Sequence, residues 1–248
     1  MLAEARVGTS GFAYREWIGT VYPRGAAPSQ LLPLYAERLP VVEIASSFTR
    51  VPPPEQLSEW ASQVPPGFEF SFKAPGRVSQ DLRLGRSGGR ALASFFEQID
   101  DLGEHLGPVL IQVPDKLSAD RKGLMEFLDA VPPDARIAME FRHPSWRDDA
   151  TMRVLSEHNV ALVLSDVGGA PPRIELTADF TYIRVRREDD SPEVWTQWAE
   201  RIAALTRRGI GVYAFLRHDR KGLAVERAMR LSALCRQEFA MDEQHALS

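Results

Sequence analysis

Short apolar segments alternate with longer amphipathic segments along the whole chain. Eight of the short segments have the length and composition of β-strands, and their starts lie roughly 20 to 40 residues apart, the length of a strand, a helix and two loops. The predicted strands are residues 5–10, 40–46, 67–73, 107–113, 136–142, 160–165, 181–186 and 211–217.

Helix-like segments follow most of these strands. In residues 88–105, Leu92, Phe95 and Ile99 recur at a spacing of three or four, as on one face of a helix. Paired glycines and paired prolines fall in residues 166–180, so we expect the sixth helix to be irregular or missing. The predicted helices are residues 29–38, 53–63, 88–105, 118–130, 145–158, 192–207 and 219–238, the fifth opening with a capping-box-like Ser-Trp-Arg-Asp.

This alternation predicts an α/β fold, a single (β/α)8 barrel of the TIM type. The 248 residues match the usual length of such a barrel, about 250 residues. A β-sandwich would need hairpin turns every ~8–12 residues, where this chain has helix-length segments. A doubly wound open sheet is the alternative, but eight repeated units favour closure. We expect one domain over residues 1–240 and a flexible tail over residues 241–248.

Charged and amide side chains lie on one alternating face of several strands. In residues 136–142, Ile137 and Met139 share one face, whereas Glu140 and Arg142 lie on the other. Active sites of TIM barrels lie at the carboxyl ends of the strands, where most of these polar groups fall. We therefore predict a site there, with the candidate residues Thr9, Ser10, Glu43, Lys73, Gln112, Glu140, Arg142, His143, Asp166, Arg184 and Arg186.

The charges at the strand ends indicate the class of ligand. The cations are Lys73, Arg142, Arg184, Arg186 and Arg217, and the carboxylates are Glu43, Glu140 and Asp166. Five positive and three negative charges leave an excess of two positive charges, in a chain of net charge −4. A positive pocket favours a small anionic ligand, because a field of one sign attracts the opposite charge. The negative net charge argues against a nucleic-acid partner, although a local basic patch would still allow one.

Residues 142–146, Arg-His-Pro-Ser-Trp, are the most site-like stretch. An arginine side chain grips carboxylate or phosphate with two hydrogen bonds, and His143 is a candidate general acid or base. The alternative for His143 is packing beneath Trp146. For Glu43 and Glu140 the alternative to proton transfer is a structural network with arginine.

The first loop offers two further alternatives. Residues 9–11, Thr-Ser-Gly, could bind an oxyanion through hydroxyl and backbone N–H groups, or could form only a tight turn. The aromatic residues Phe12, Tyr14, Trp17 and Tyr22 could form a stacking lid over a ligand, or could plug the mouth of the barrel.

Other features bound the class of protein. The chain has no Cys-x-x-Cys, HExxH, Walker A or GxSxG motif, so we expect no cofactor and no bound metal. The single cysteine, Cys235, cannot form an internal disulfide, which favours a reducing compartment. No run approaches the ~18 apolar residues of a membrane span, and the first residues lack the apolar core of a signal peptide. We therefore expect a cytoplasmic protein without a membrane partner; the sequence leaves its oligomeric state open.

Several segments resemble the signatures of the YecE-like family, a family of TIM-barrel proteins to which no reaction is assigned. The resembling segments are GTSGFAYREW (8–17), VEIASSFTRVP (42–52), FSFKAPGRVS (70–79), LGPVLIQVP (106–114), MEFRHPSW (139–146), SD (165–166) and YIRV (182–185). Together they are specific, and they cover about the first 190 residues. The resemblance implies the barrel and the site at the strand ends, but it supplies no reaction.

The chain departs from the family pattern at polar positions. The family usually has Trp at Phe12, Asn at Ala45, Tyr at Thr49, His at Gln80 and His at Arg186. Several of these changes remove a hydrogen-bond donor, so the resemblance leaves open whether the activity of the family is retained.

The sequence favours an enzyme that acts on a small anionic substrate, phosphorylated or nucleotide-derived. The cations at the strand ends would hold the anion, and His143 with Glu140 or Asp166 would move protons. Whether the protein is catalytic is left open by two alternatives. One is a non-catalytic protein that binds an anion or nucleic acid, and the other is a metal-dependent hydrolase that uses the carboxylates and His143 as ligands.

Overall fold

Eight parallel strands form a closed barrel in chain order, β1 to β8. The computed structural model describes residues 4–78, 84–167, 172–186 and 191–246. The strands are β1 Ala5–Ser10, β2 Val41–Ile44, β3 Glu69–Lys73, β4 Leu106–Val113, β5 Ile137–Phe141, β6 Ala161–Ser165, β7 Phe180–Val185 and β8 Gly211–Leu216. The predicted TIM-type fold and its eight strands are confirmed.

Seven α-helices lie among the described residues. They are α1 Leu31–Ala36, α2 Pro54–Gln63, α3 Arg86–Ile99, α4 Arg121–Leu128, α5 Asp149–Glu157, α6 Pro192–Arg207 and α7 Leu223–Ala246. Between β6 and β7 the described residues contain no α-helix, as the paired glycines and prolines predicted. Helix α7 reaches Ala246, into the stretch expected to be a flexible tail, so the division into domain and tail stays a prediction. None of the described helices is both long and apolar enough to cross a membrane.

The chain divides into two compact units. Unit 1 comprises Met1–Val42, Leu164–Arg173 and Asp179–Ser248, and unit 2 comprises Glu43–Val163 and Ile174–Ala178. Unit 1 therefore contains β1, β7 and β8, and unit 2 contains β3, β4 and β5.

In unit 1, β8 pairs with β1 on one side and with β7 on the other. Apolar and aromatic side chains fill the interior, with the rings of Tyr182 and Phe215 4.9 Å apart. At Gly8, a Cβ atom would lie 2.0 Å from the carbonyl oxygen of Val41, so only glycine allows the backbone to approach so closely.

In unit 2, the register between β4 and β5 determines which polar side chains lie opposite each other near the strand ends. Phe68, Phe70 and Phe72 are all fully buried, and Phe72 packs against Phe95 of α3 with the ring centroids 6.3 Å apart. The in-register pairing of β4 with β5 runs from Val109 opposite Ile137 to Val113 opposite Phe141. This register places Gln112 directly opposite Glu140.

Candidate functional site

The predicted site residues are divided between the two units. Unit 1 contains Thr9, Ser10, Asp166, Arg184 and Arg186, and unit 2 contains Glu43, Lys73, Gln112, Glu140, Arg142 and His143. In each unit, hydrogen bonds join several of these residues across strand ends that are distant in sequence.

In unit 1, the ends of β1, β6 and β7 are joined by a cluster that we name the Asp166 cluster: Ser10, Asp166, Arg184 and Arg186. The backbone N–H of Arg186 donates to Asp166 Oδ1 over 2.6 Å, and Arg186 Nη1 donates to Ser10 Oγ over 3.1 Å. Arg184 and Arg186 are half-buried and two residues apart, which places both on the same face of the β7 end. Sequence reasoning chose all four residues, and the structure joins Ser10, Asp166 and Arg186 directly.

Among the described residues, one carboxylate oxygen of Asp166 has a hydrogen-bond partner and the other has none. The residue is 1% exposed, and Oδ2 has no hydrogen-bond partner among the described residues. Buried polar atoms in proteins are nearly always hydrogen-bonded, and an exception calls for a functional or structural reason. Among the described residues, Oδ2 is therefore a buried hydrogen-bond acceptor without a partner.

Thr9, also in unit 1, is fully buried and already hydrogen-bonded within the protein. Its backbone N–H donates to the Tyr35 hydroxyl oxygen over 2.9 Å, and its own hydroxyl donates to the carbonyl of Gly11 over 2.8 Å. The Tyr35 hydroxyl in turn donates to the carbonyl of Val41. Burial raises the pKa of Tyr35 well above its ordinary value of 10.0, so the phenol stays neutral. For Thr9, these contacts favour a tight turn over the binding of an oxyanion.

The aromatic residues of the first loop are largely packed into the protein. Trp17 is fully buried, and its Nε1–H donates to the carbonyl of Asp219 over 2.7 Å. The hydroxyl of buried Tyr22 donates to the carbonyl of Phe12 over 2.6 Å. These contacts favour the plug over the stacking lid for Trp17 and Tyr22.

Tyr14 is half-buried and stacks on His218, with the ring centroids 3.7 Å apart. His218 Nε2 also lies 3.2 Å from Glu16 Oε1. The sequence offered no signal for this contact, because 202 residues separate Glu16 from His218.

In unit 2, a row of polar side chains crosses the ends of β4 and β5. Gln112 Nε2 donates to Glu140 Oε2 over 2.8 Å, and Arg142 Nε lies 3.8 Å from Glu140 Oε1. Both carboxylate oxygens of Glu140 therefore have a partner within the row. The side chain of Arg142 is 54% exposed, so part of it is accessible to solvent.

Two further candidates in unit 2 lie at the ends of β2 and β3. Glu43 is fully buried. Lys73 is half-buried, and its Nζ lies 3.8 Å from the centroid of the Phe48 ring, a cation–π contact. The buried hydroxyl of Ser47 lies 2.6 Å from the carbonyl oxygen of Lys73 and 2.7 Å from that of Ile44, which ties the ends of β2 and β3 together.

The loop after β5 positions His143 by local hydrogen bonds. His143 Nδ1 accepts from the backbone N–H of Ser145 over 3.2 Å and lies 2.7 Å from Ser145 Oγ. Ser145 Oγ also accepts from the backbone N–H of Ala119 over 2.8 Å. Trp146 stacks on Phe141 with the centroids 4.7 Å apart, so its ring already has a packing partner other than His143.

Sequence reasoning gave Ser145 the wrong role. It placed Ser145 in a capping box at the start of a helix, but α5 begins at Asp149 and its N-cap is Asp148, which accepts from the backbone N–H of Thr151 over 2.8 Å. The Arg-His-Pro-Ser motif contained the correct signal, since Pro144 begins a short 3-10 helix, Pro144–Trp146, capped by His143.

Of the positions that depart from the family pattern, Arg186 belongs to the Asp166 cluster, whereas Ala45 and Thr49 lie outside both that cluster and the row of unit 2. Ala45 lies before the 3-10 helix Ser46–Phe48, and the hydroxyl of exposed Thr49 donates to the carbonyl of Ser46. Gln80 lies outside the described residues. Among the residues that the structure describes, no three His, Cys, Asp or Glu side chains form a group that could hold a metal ion.

Comparison with known sequences extends the family resemblance to nearly the whole chain. A family model described as "Protein of unknown function DUF72" matches residues 6–247. The UPF0759 protein YecE of Escherichia coli K12 is 27% identical over 154 residues, which is 58% of this chain and 56% of that protein. The match thus spans little more than half the length of that curated relative.

Solved structures agree with the fold. A DUF72 family protein from Thermotoga maritima is 25% identical, with a TM-score of 0.77 over 93% of this chain and 98% of that chain. A DUF72 family protein from Enterococcus faecalis is 18% identical, with a TM-score of 0.71 over 94% of this chain and 97% of that chain, a likeness of fold alone. The resemblance to YecE-like proteins is confirmed, and the chain belongs to the DUF72 family of proteins of unknown function.

Proposed function

We propose that the protein is an enzyme that acts on a small anionic substrate, phosphorylated or nucleotide-derived, bound at the Asp166 cluster. The supporting observation is the carboxylate of Asp166, which is 1% exposed and keeps Oδ2 without a hydrogen-bond partner among the described residues. A general base needs a lone pair within hydrogen-bond reach of the proton that it removes. Asp166 is the base in this proposal.

The arginines of the same cluster supply the anion-binding groups. A guanidinium group forms two parallel hydrogen bonds with a phosphate or carboxylate, and it stays charged at any pH of interest. Arg184 and Arg186 share one face at the end of β7, and the bond to Ser10 fixes the guanidinium of Arg186. Groups held in place before a ligand arrives lose little freedom on binding, which increases the affinity.

The candidate residues of unit 2 remain predictions within this proposal. Lys73 and Arg142 stay candidates for anion binding with Gln112, and Glu43 and Glu140 stay candidates for proton transfer. Glu140 offers a proton less accessible oxygen atoms than Asp166 does, because both of its oxygens already have partners.

Ligand binding is tested by a thermal-shift screen of sugar phosphates, nucleotides and small carboxylates against the wild type and Arg184→Ala. A ligand at 100 times its Kd stabilises the folded state by about 2.7 kcal/mol. We expect this shift in the wild type and its loss in Arg184→Ala. Arg153→Ala is the matched control, since Arg153 is an exposed arginine of α5 and its loss changes the net charge equally. Equal shifts in Arg184→Ala and in the wild type would rule out the assignment.

Catalysis is tested by following the consumption of the stabilising ligand. In Asp166→Asn the amide oxygen still accepts from Arg186, but the side chain no longer takes a proton at neutral pH. We expect ligand binding to persist and turnover to fall by about 10²–10⁴-fold. Binding without turnover in the wild type would favour the non-catalytic anion-binding alternative instead.

A further inference from the structure

The loop after β5 determines which nitrogen of His143 carries the proton. The backbone N–H of Ser145 donates to His143 Nδ1 over 3.2 Å. A backbone amide always donates, so a proton on Nδ1 would face the amide hydrogen directly. The neutral imidazole therefore carries its proton on Nε2 and keeps Nδ1 as an acceptor.

The hydroxyl of Ser145 reinforces this tautomer. Ser145 Oγ accepts from the backbone N–H of Ala119 over 2.8 Å and lies 2.7 Å from His143 Nδ1. Because Nδ1 accepts, the hydroxyl hydrogen points toward it, and the three groups form a chain from Ala119 N–H through Ser145 O–H to His143 Nδ1. Each bond in this chain has a single direction.

Both loops that form this series of hydrogen bonds, the one at Ala119 and the one at His143, are held in place by further contacts. Asp120, next to Ala119, caps α4 by accepting from the backbone N–H of Gly123 over 2.9 Å. Trp146, next to Ser145, is fully buried and donates from Nε1 to the carbonyl of Leu117 over 2.8 Å. A helix cap needs only the N–H···Nδ1 bond, so the additional contact with the Ser145 hydroxyl goes beyond capping.

We infer that Ser145 is a positioning residue that holds His143 as the neutral Nε2–H tautomer, so that His143 offers a hydrogen-bond donor to a phosphate or carboxylate oxygen. The contact with an anion rests on the class of ligand in the proposed function, whereas the tautomer does not. His143, predicted from the sequence as a general acid or base, is then a hydrogen-bond donor to the ligand. In this tautomer Nδ1 is engaged by Ser145 and Nε2 carries the proton, so His143 would stabilise charge on a ligand without removing a proton from it.

The tautomer is tested by long-range ¹H–¹⁵N correlation spectra of the uniformly ¹⁵N-labelled full chain at a pH where the imidazole is neutral. The chain has 5 histidines, and His143→Gln identifies the signals of His143. We expect a protonated Nε2 and an unprotonated Nδ1 in the wild type. A proton on Nδ1 would overturn the inference.

Variants of Ser145 separate positioning from simple packing. In Ser145→Ala we expect the Nδ1 resonance to move toward the value of a free imidazole, and Ser145→Thr should restore it by supplying a hydroxyl again. Ser156→Ala is the matched control, because that hydroxyl is exposed on α5 and donates to Met152. If Ser145→Ala leaves both nitrogen resonances of His143 unchanged, Ser145 has no positioning role.

Titration with inorganic phosphate tests the donor role. We expect phosphate to shift the Nε2 resonance of His143 in the wild type. If phosphate gives a thermal shift that depends on Arg184 but leaves Nε2 unmoved, the donor role is wrong and the proposed function stands. If the tautomer is present but no anion stabilises the wild type, the proposed function fails and the positioning role stands.

Discussion

Two loops of the protein are anchored in the same way and carry different side chains. The loop after β1 in unit 1 contains Trp17, and the loop after β5 in unit 2 contains Trp146. Both indole rings are fully buried, and each Nε1–H donates to a backbone carbonyl of another loop, Asp219 for Trp17 over 2.7 Å and Leu117 for Trp146 over 2.8 Å. A buried indole needs such a partner, because an unsatisfied N–H in the interior is costly.

The two loops differ in the residues around the tryptophan. In the first loop Tyr22 adds a second buried ring, which is hydrogen-bonded to the backbone of Phe12. The loop after β5 carries His143 and Ser145, both half-buried. A buried tryptophan that donates to a carbonyl of another loop therefore accompanies packed aromatic rings in the first loop and half-buried polar side chains in the loop after β5. The two loops therefore differ both in the residues around the tryptophan and in the hydrogen-bond partners of those residues.

The largest effect is expected from removing the anchors. Trp17→Ala and Trp146→Ala should each lower the free energy of unfolding by about 3–5 kcal/mol, the usual cost of deleting a buried tryptophan. Urea denaturation measures both. Trp60→Ala is a graded control, since Trp60 is only half-buried and should cost less. A loss at Trp146 no larger than that at Trp60 would break the parallel between the two loops.

The next largest loss of stability is expected where the first loop leaves β1, at the hydroxyl of Tyr35. In Tyr35→Phe the Thr9 N–H and the Val41 carbonyl each lose a buried hydrogen-bond partner. We expect a loss of about 1–3 kcal/mol, the cost of leaving buried polar groups unsatisfied. Thermal and urea unfolding of the variant check this value. A neutral result would mean that water replaces the phenol and that residues 9–11 are more open than the structure shows.

A smaller effect is expected at the segment on which the first loop rests. The carboxylate of Asp219 accepts from the backbone N–H groups of Lys221, Leu223 and Ala224 at the start of α7. Asp219→Ala should cost about 0.5–2 kcal/mol, as for other caps at helix N-termini, and Asp219→Asn should cost less because its amide oxygen still accepts. Equal losses in the two variants would show that charge, not hydrogen bonding, determines the effect.

The smallest effect is a pH dependence near the second loop. The hydrogen bond from Arg121, with the backbone N–H of Thr151, holds the pKa of the Asp148 carboxyl well below its ordinary value of 3.8. A lowered pKa stabilises the folded state above that ordinary value, and the contribution is lost as the pH falls below it. In Arg121→Ala the acid-dependent loss of stability below about pH 4 should be shallower than in the wild type. Because the pair is exposed, an unchanged slope would mean that solvent screens it fully.

The barrel was predictable from sequence because its signals are local. Alternating faces, strand spacing and the paired glycines and prolines after β6 each involve a few neighbouring residues, and they gave the strands with ends within two residues of those observed, as at β3, which begins at Glu69 rather than residue 67. The polar face of residues 136–142 followed from the two-residue period alone.

Pairings within the candidate site were not predictable, because they depend on register and on loops distant in sequence. The alternation placed Gln112 and Glu140 on polar faces, but only the β4–β5 register brings them to 2.8 Å. The bond from Arg186 to Ser10 spans 176 residues, and that from Trp17 to Asp219 spans 202. The role of Ser145 was missed because a serine shortly before a helix resembles a cap, whereas here Pro144 begins a short 3-10 helix.

The pairing of β1 with β8 has a consequence for synthesis of the chain on the ribosome. β1 ends at Ser10 and β8 begins at Gly211. The edge of β1 that pairs with β8 therefore stays unpaired while the ribosome adds the next 211 − 10 = 201 residues. At ~5–20 residues per second this takes about 10–40 s. All residues of unit 2 have been synthesised once Ala178 is added, before any residue of β7 or β8 exists. During that interval an unpaired strand edge can associate with other chains, so newly made protein is most prone to aggregation before its last strand emerges.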